Sequence, residues 1–438
     1  MGHVSFFGPV KAAPLFLLTA ALVPIFAPAA QVSPTQPAIP GRSFNLMDFG
    51  AVADARTPNT DAFRRAIASV EKSGGGTLVV PAGSYLTGPI ELCSSLNLHL
   101  DAGAKLLFSQ NFDDYRLEGG KYRPLVGASG CHDLLVSGAG TFDGQGQPWW
   151  VIERRVKAEA RARGLPDAEI GRPRMIVFEN CQRVRLEGVT LANSPMYHFV
   201  PFRCEDVTVD GITILAPSDS PNTDGIDPSV SRRVLITRCR IDTGDDCIAV
   251  KAGARGFGPV EDVLVTDCTF LHGHGCSIGS YTDSGVRNMT VRHCTFDGTD
   301  IGVRLKSRRG RGGLVEDITY SDLAMRNVGQ AIVISSYYYG LPKPGVHDVH
   351  MPVTADTPIW RHIVVRNIVA TGGTKDAGLI MGLPEMPAED IVLENVSISA
   401  KSGLRIGCAD HVSLKNVKIT TALGPPVSVE DTAQNVVR

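Results

Sequence analysis

From about residue 90 the chain alternates apolar and polar positions in short runs, and one run keeps returning. It reads VRLEGVTL at 184–191, VTVDGITI at 207–214, VLITRCRI at 234–241 and VLVTDCTF at 263–270. It returns as MTVRHCTF at 289–296, ITYSDLAM at 318–325, IVVRNIVA at 363–370, IVLENVSI at 391–398 and VSLKNVKI at 412–419. Alternation with period two predicts strands that bury one face. The starts lie 23, 27, 29, 26, 29, 45, 28 and 21 residues apart, the spacing of a solenoid with insertions. No amphipathic helix separates successive runs, and no asparagine sits in a leucine frame. The pattern predicts an all-β, single-stranded parallel β-helix.

Three segments depart from the pattern. Asn59-Thr60-Asp61 followed by AFRRAIASV predicts a helix that caps the open N-terminal end of the core. Residues 147–172 (QPWWVIERRVKAEARARGLPDAEIGR) are charged, with alanine and arginine at helical density. They predict a helical excursion over one mouth of the solenoid. Trp149-Trp150 within it either line a sugar subsite or anchor the helix. Residues 337–361, with a tyrosine triplet, prolines and histidines, predict a long loop, where specificity often resides.

The ten cysteines follow the repeat. Cys93, Cys131, Cys181 and Cys204 each precede the first apolar residue of a run by three, and Cys239, Cys268 and Cys294 follow it by five. Cys247 and Cys276 fall in the matching segments DDCIA and HGCSI. Such registration predicts stacked inward-facing thiols packing as small hydrophobes, with a disulfide framework as the alternative.

Residues 1–30 combine a short basic start ending at Lys11, an apolar stretch, and Ala27-Pro28-Ala29 before a candidate cleavage point. They predict a secretory signal peptide, hence a secreted or periplasmic protein; a membrane anchor is the alternative. Residues 31–42 are expected to be a flexible lead-in, and 43–438 the β-helix domain. A net charge of −2 gives no global field for nucleic acid or membrane.

The chemistry gathers in consecutive coils. Asn222-Thr223-Asp224 lies in one, Asp245-Asp246 in the next, His274 in the third and Arg304-Leu305-Lys306 in the fourth. Equivalent residues of adjacent coils lie ~4.8 Å apart, so these side chains are expected to form one polar column. Crowded carboxylates cannot all ionise cheaply, which supplies an acid and a base at one pH. Arg304 and Lys306 can bind an anionic sugar. Two blander readings compete: Asx residues capping their own turns, and a calcium site, which the adjacent His and basic pair oppose. His272 and the rest of the run 304–311 are read as structural or solvated.

NTDGID (222–227), GDDCIAVK (244–251), GHGCSIGS (273–280) and RLK (304–306), in that order, closely resemble the four signatures of family 28 glycoside hydrolases, the polygalacturonases. FGAVADARTPNTDAFRRAI, GAGTFDGQG and NSPMYHFVP are similar to that family as well, so the likeness spans about 46–400. It implies a right-handed β-helix and hydrolysis of α-1,4-galacturonan with inversion, without metal or cofactor. By motif it implies that Asp245 protonates the leaving oxygen, Asp224 and Asp246 activate water, and His274 tunes the acid. Arg304, Lys306, Asn222 and Tyr338 would hold the galacturonate. Leu305 replaces the usual isoleucine, a mild inward change. Carboxylates ~5 Å apart would by themselves suggest a retaining enzyme, so resemblance and spacing disagree on stereochemistry.

The expected partner is a pectic polysaccharide or oligogalacturonide substrate, and the enzyme is expected to be a monomer. A hydrolase of decorated pectin (xylogalacturonan or rhamnogalacturonan) and a non-catalytic polysaccharide-binding solenoid are the alternatives. Intact NTDGID and RLK favour plain galacturonate, and the retention of all three aspartates favours catalysis. A pectate lyase would need calcium and an arginine base. The two excursions lean the reading toward exo action.

Overall fold

The computed structural model describes residues 1–3 and 32–438 except 167 and 254. The predicted signal peptide therefore lies almost wholly outside the described residues. Among those described, no helix is long and apolar enough to cross a membrane.

The chain winds into a parallel β-helix, as its alternation predicts, with the right hand that the resemblance implies. One face carries a four-stranded and a seven-stranded parallel sheet. Bridges through Ile226 and Ser229 join them. The remaining faces merge into one 23-stranded sheet. Ile176, Phe199, Ile226, Ile248, Cys276, Val303 and Ile332 stack in register down the first face. All are fully buried. A buried aliphatic side chain contributes about 1.5–3 kcal/mol, so stability accrues coil by coil.

The turn-like pair inside each repeat makes a sharp corner. Its second residue takes left-handed backbone: Gly188, Gly211, Arg238, Asp267, His293, Asp322, Asn367, Asn395 and Asn416. Gly, Asn and Asp tolerate this conformation best. The short amides also bond between coils: the Asn367 amide donates to Asp322 (2.9 Å), Asn395 to Asn367 (3.1 Å) and Asn416 to Asn395 (2.9 Å).

Helix α1 (Thr60–Lys72) caps the N-terminal end with Phe63, Ala66 and Val70 buried, as expected. Helix α2 (Gln147–Ala162) forms within the predicted excursion. Its position differs from the expectation. Arg154 pairs with Asp219 at 2.8 Å, so α2 lies along the flank of the central coils rather than over a mouth. Trp149 stacks on Phe112 with centroids 3.7 Å apart, and the Trp150 indole donates to the Ser194 carbonyl. Both rings are buried. Both anchor the helix, and Trp150 also borders an open cleft together with Arg154, Asn193 and Asp219.

Other details depart from the sequence reading. Residues 32–39, expected as a flexible lead-in, lie against the large sheet: Thr35 N–H donates to Asp206 and Ala38 N–H to Asp133. The cysteines, by contrast, are free thiols as expected, nine of them buried and Cys131 partly so. Cys247 and Cys276 do not match in register, because Ile248 pairs with Cys276. Cys247 thus sits level with Gly275. Arg309, read as solvated, bridges Glu385 and Asp348 beneath the loop that precedes the strand Ile359–Thr371.

Candidate active site

The register that sets the core also sets the site. Ile226, Ile248 and Cys276 are stacked partners. The residues two places earlier, Asp224, Asp246 and His274, therefore form one row on the turn leading into the sheet. Asp245 stands beside that row, and Asp246 N–H donates to its Oδ1 at 2.9 Å. One carboxylate oxygen from each of Asp224, Asp245 and Asp246 lies within 4.8 Å of the others. Arg304 and Lys306 come from the strand Ile301–Lys306, where they are level with Ser277 and Gly279. They reach back across a coil to Asp246. The expected column is thus a curved cluster, with Ser277 between.

Each carboxylate has its own surroundings. Asp246 is buried, and Ser277 Oγ (2.7 Å), Arg304 Nη1 (2.9 Å) and Lys306 Nζ (2.6 Å) all donate to it. Burial opposes its charge, but Lys306, Arg304 and His274 outweigh that and hold its carboxyl well below the usual range. Asp224 is buried too, and burial followed by the Asp227 charge pushes its carboxyl well above the usual range, while Lys251 pulls the other way. Lys251 Nζ lies 2.8 Å from Asp224 Oδ2 and also contacts Asp227. Asp245 is a quarter exposed, and His274 Nε2 is 3.9 Å from its Oδ1. The far side of that ring faces Asp300, with Nδ1 3.1 Å from Oδ2. The His274 contact leads the causes that lower the Asp300 carboxyl to about 2.

A divalent cation could span the three carboxylates by spacing alone. Their donors do not fit one. Both Asp246 oxygens face cations, and Asp224 Oδ2 faces Lys251.

Asn222 and Tyr338 are placed differently from the aspartates. Asn222 Oδ1 accepts from Arg172 (2.6 Å) and Lys157 (3.2 Å), both from the α2 excursion. That carbonyl is already engaged and ties the excursion to the site. The Tyr338 ring lies 5.3 Å from Lys306 Nζ, at the start of the long loop. Sequence reasoning missed Lys251, Asp227, His198 and Asp300 as parts of this cluster. Asp227 and Lys251 were within the quoted motifs, and period two from Ala249 puts Lys251 on the outer face. His198 carried no local signal. It is fully buried, which pushes its imidazole down to about 4, and its Nδ1 lies 3.0 Å from the Asp224 carbonyl oxygen. A neutral ring donating there fixes the backbone of Asp224.

The profile of the family described as Glycosyl hydrolases family 28 matches residues 72–422. The chain is similar to a probable polygalacturonase of Vitis vinifera, 32% identical over 381 residues, covering 81% of this chain and 74% of the relative. It is similar to an exopolygalacturonase of Zea mays, 29% identical over 82% of this chain and 84% of the relative. Among solved structures it resembles a hyperthermoactive exopolygalacturonase from Thermotoga maritima, with a TM-score of 0.75 and 31% identity, covering 88% of this chain and 94% of that one.

Proposed function

The chain belongs to glycoside hydrolase family 28, and from that premise we propose that it hydrolyses α-1,4-galacturonosyl linkages of polygalacturonate. The observation that carries the reading is the three-aspartate cluster beside a basic pair. A strongly acidic Asp246 and an Asp224 with the opposite tendency provide groups of different proton affinity in one site. Asp245, partly exposed and touching His274, protonates the leaving oxygen. Asp224 and Asp246 hold and activate the water, His274 adjusts the acid, and Arg304, Lys306, Asn222 and Tyr338 contact the sugar acid.

Water attacks directly, with inversion. The short carboxylate spacing does not oppose this, because the two aspartates share one water while the third serves the leaving group. Action is from a chain end. Lys157 and Arg172 bring the α2 excursion onto Asn222, and this crowding on one side of the cluster supports that reading. The exopolygalacturonases of Zea mays and Thermotoga maritima support the same mode. Residues 1–30 direct export, and 43–438 form the catalytic domain.

Product analysis on polygalacturonate tests this. New reducing ends with no absorbance at 235 nm are expected, with monogalacturonate the main product from the first time points. An unsaturated product would reject hydrolysis, and an early ladder of oligomers would reject exo action.

A further inference from the structure

Two buried carboxylates, Asp224 and Asp227, sit against one ammonium. Lys251 Nζ donates to Asp224 Oδ2 at 2.8 Å and to Asp227 Oδ2. Its charge also lies 3.8 Å from the centroid of the Tyr197 ring, a cation–π contact. Asp224 Oδ1 is buried with no hydrogen-bond partner. One oxygen of Asp224 is therefore fixed by Lys251 and the other has no hydrogen-bond partner, while the carboxylate lies within 4.8 Å of Asp245 and Asp246.

We propose that Lys251 is a positioning residue for the hydrolysis, favouring the charged form of Asp224 and holding its carboxylate beside Asp245 and Asp246. The inference rests on the reading above, in which Asp224 acts on the attacking water. Burying an aspartate favours its neutral form, and a close cation opposes this. Arg304 and Lys306 serve Asp246. Arg172 is bonded to Asn222 and to the carbonyls of Pro195 and Pro221. Arg174 lies over the opposite partner, the Tyr197 ring, at 5.3 Å. His198 is neutral, and Asp227, Asp245 and Asp246 repel a second negative charge. Lys251 is the cation in contact with Asp224. Asp227 is the counterweight that holds the ammonium in place from below.

A purely structural ammonium would make the same contacts, so the test reads pH dependence. The profile of kcat/KM against pH is measured on polygalacturonate for the parent, Lys251→Met, Lys251→Arg, Asp227→Asn and Asp224→Asn. Lys251→Met is expected to move the acid limb upward by about 1–3 pH units, with activity returning at higher pH. Lys251→Arg should keep the limb near its parent position. Asp227→Asn removes a neighbouring negative charge and should move the limb downward. It also serves as the decisive variant if Lys251→Met does not fold. A uniform loss of rate in Lys251→Met with an unmoved limb would overturn the inference, as would an unmoved limb in Asp227→Asn. If Asp224→Asn keeps the parental rate, the water-activating role of Asp224 fails, and the role of Lys251 with it. An inactive Asp224→Asn beside an unmoved Lys251→Met rejects Lys251 alone.

Discussion

Asp245→Asn is expected to lower kcat on polygalacturonate by about 10²–10⁴-fold, the range typical of losing a general acid, while the fold survives. The side chain is partly exposed, and its structural duty is to accept the Asp246 N–H through Oδ1. An asparagine oxygen accepts that bond as well. What asparagine cannot do is deliver a proton to the departing O4 of the next sugar. The loss should therefore fall on kcat, with KM nearly unchanged, because the substitution leaves Arg304 and Lys306, the proposed substrate contacts, in place. A galacturonide with a leaving group that needs no protonation should lose far less. Circular dichroism that matches the parent, with the rate also unchanged, would refute the assignment of the acid.

Lys306→Met is expected to give the largest loss of stability. Lys306 is buried and donates to Asp246 at 2.6 Å. Removing one partner of a buried pair typically costs about 3–5 kcal/mol, because the other charge is stranded. Arg304 and Ser277 remain on Asp246, so the lower end applies. The sign of the pH dependence follows from the depressed Asp246 carboxyl. A depressed folded-state value stabilises above the unfolded value of about 3.9 and loses that stability as pH falls through the folded one. In the variant Asp246 titrates higher. The stability gap to the parent should thus be widest near neutral pH and narrow as the solution is acidified through the variant's own value. Urea midpoints across pH measure this. A gap that stays constant from neutral to acid pH would mean that Asp246 is not stranded.

The same two regions show what a sequence can reveal. Strand periodicity, the capping helix and the stacking of Asp224, Asp246 and His274 were legible because a β-helix repeats one local rule, and each coil copies the register of the last. The corners were legible only where Gly, Asn or Asp takes the left-handed position; Arg238 and His293, which take it too, carried no such signal. Contacts made by inserted segments were not legible. Nothing in residues 147–172 says that Lys157 and Arg172 end on Asn222, because an insertion obeys no repeat. The helix was foreseen but its place on the flank was not, since that depends on Trp149 finding Phe112. Asp227 and Lys251 were hidden differently: their spacing looked like ordinary strand positions, and only burial gives their charges meaning. The Cys247/Cys276 mismatch came from aligning letters where hydrogen bonding shifts the coil by one.

Inversion requires direct attack of water, here at a site whose carboxylates sit within 4.8 Å of one another. Proton NMR of polygalacturonate digestion in the first minutes, before mutarotation, tests it most directly. With inversion the newly formed reducing end appears first as the β anomer. First appearance of the α anomer would mean net retention and would contradict it.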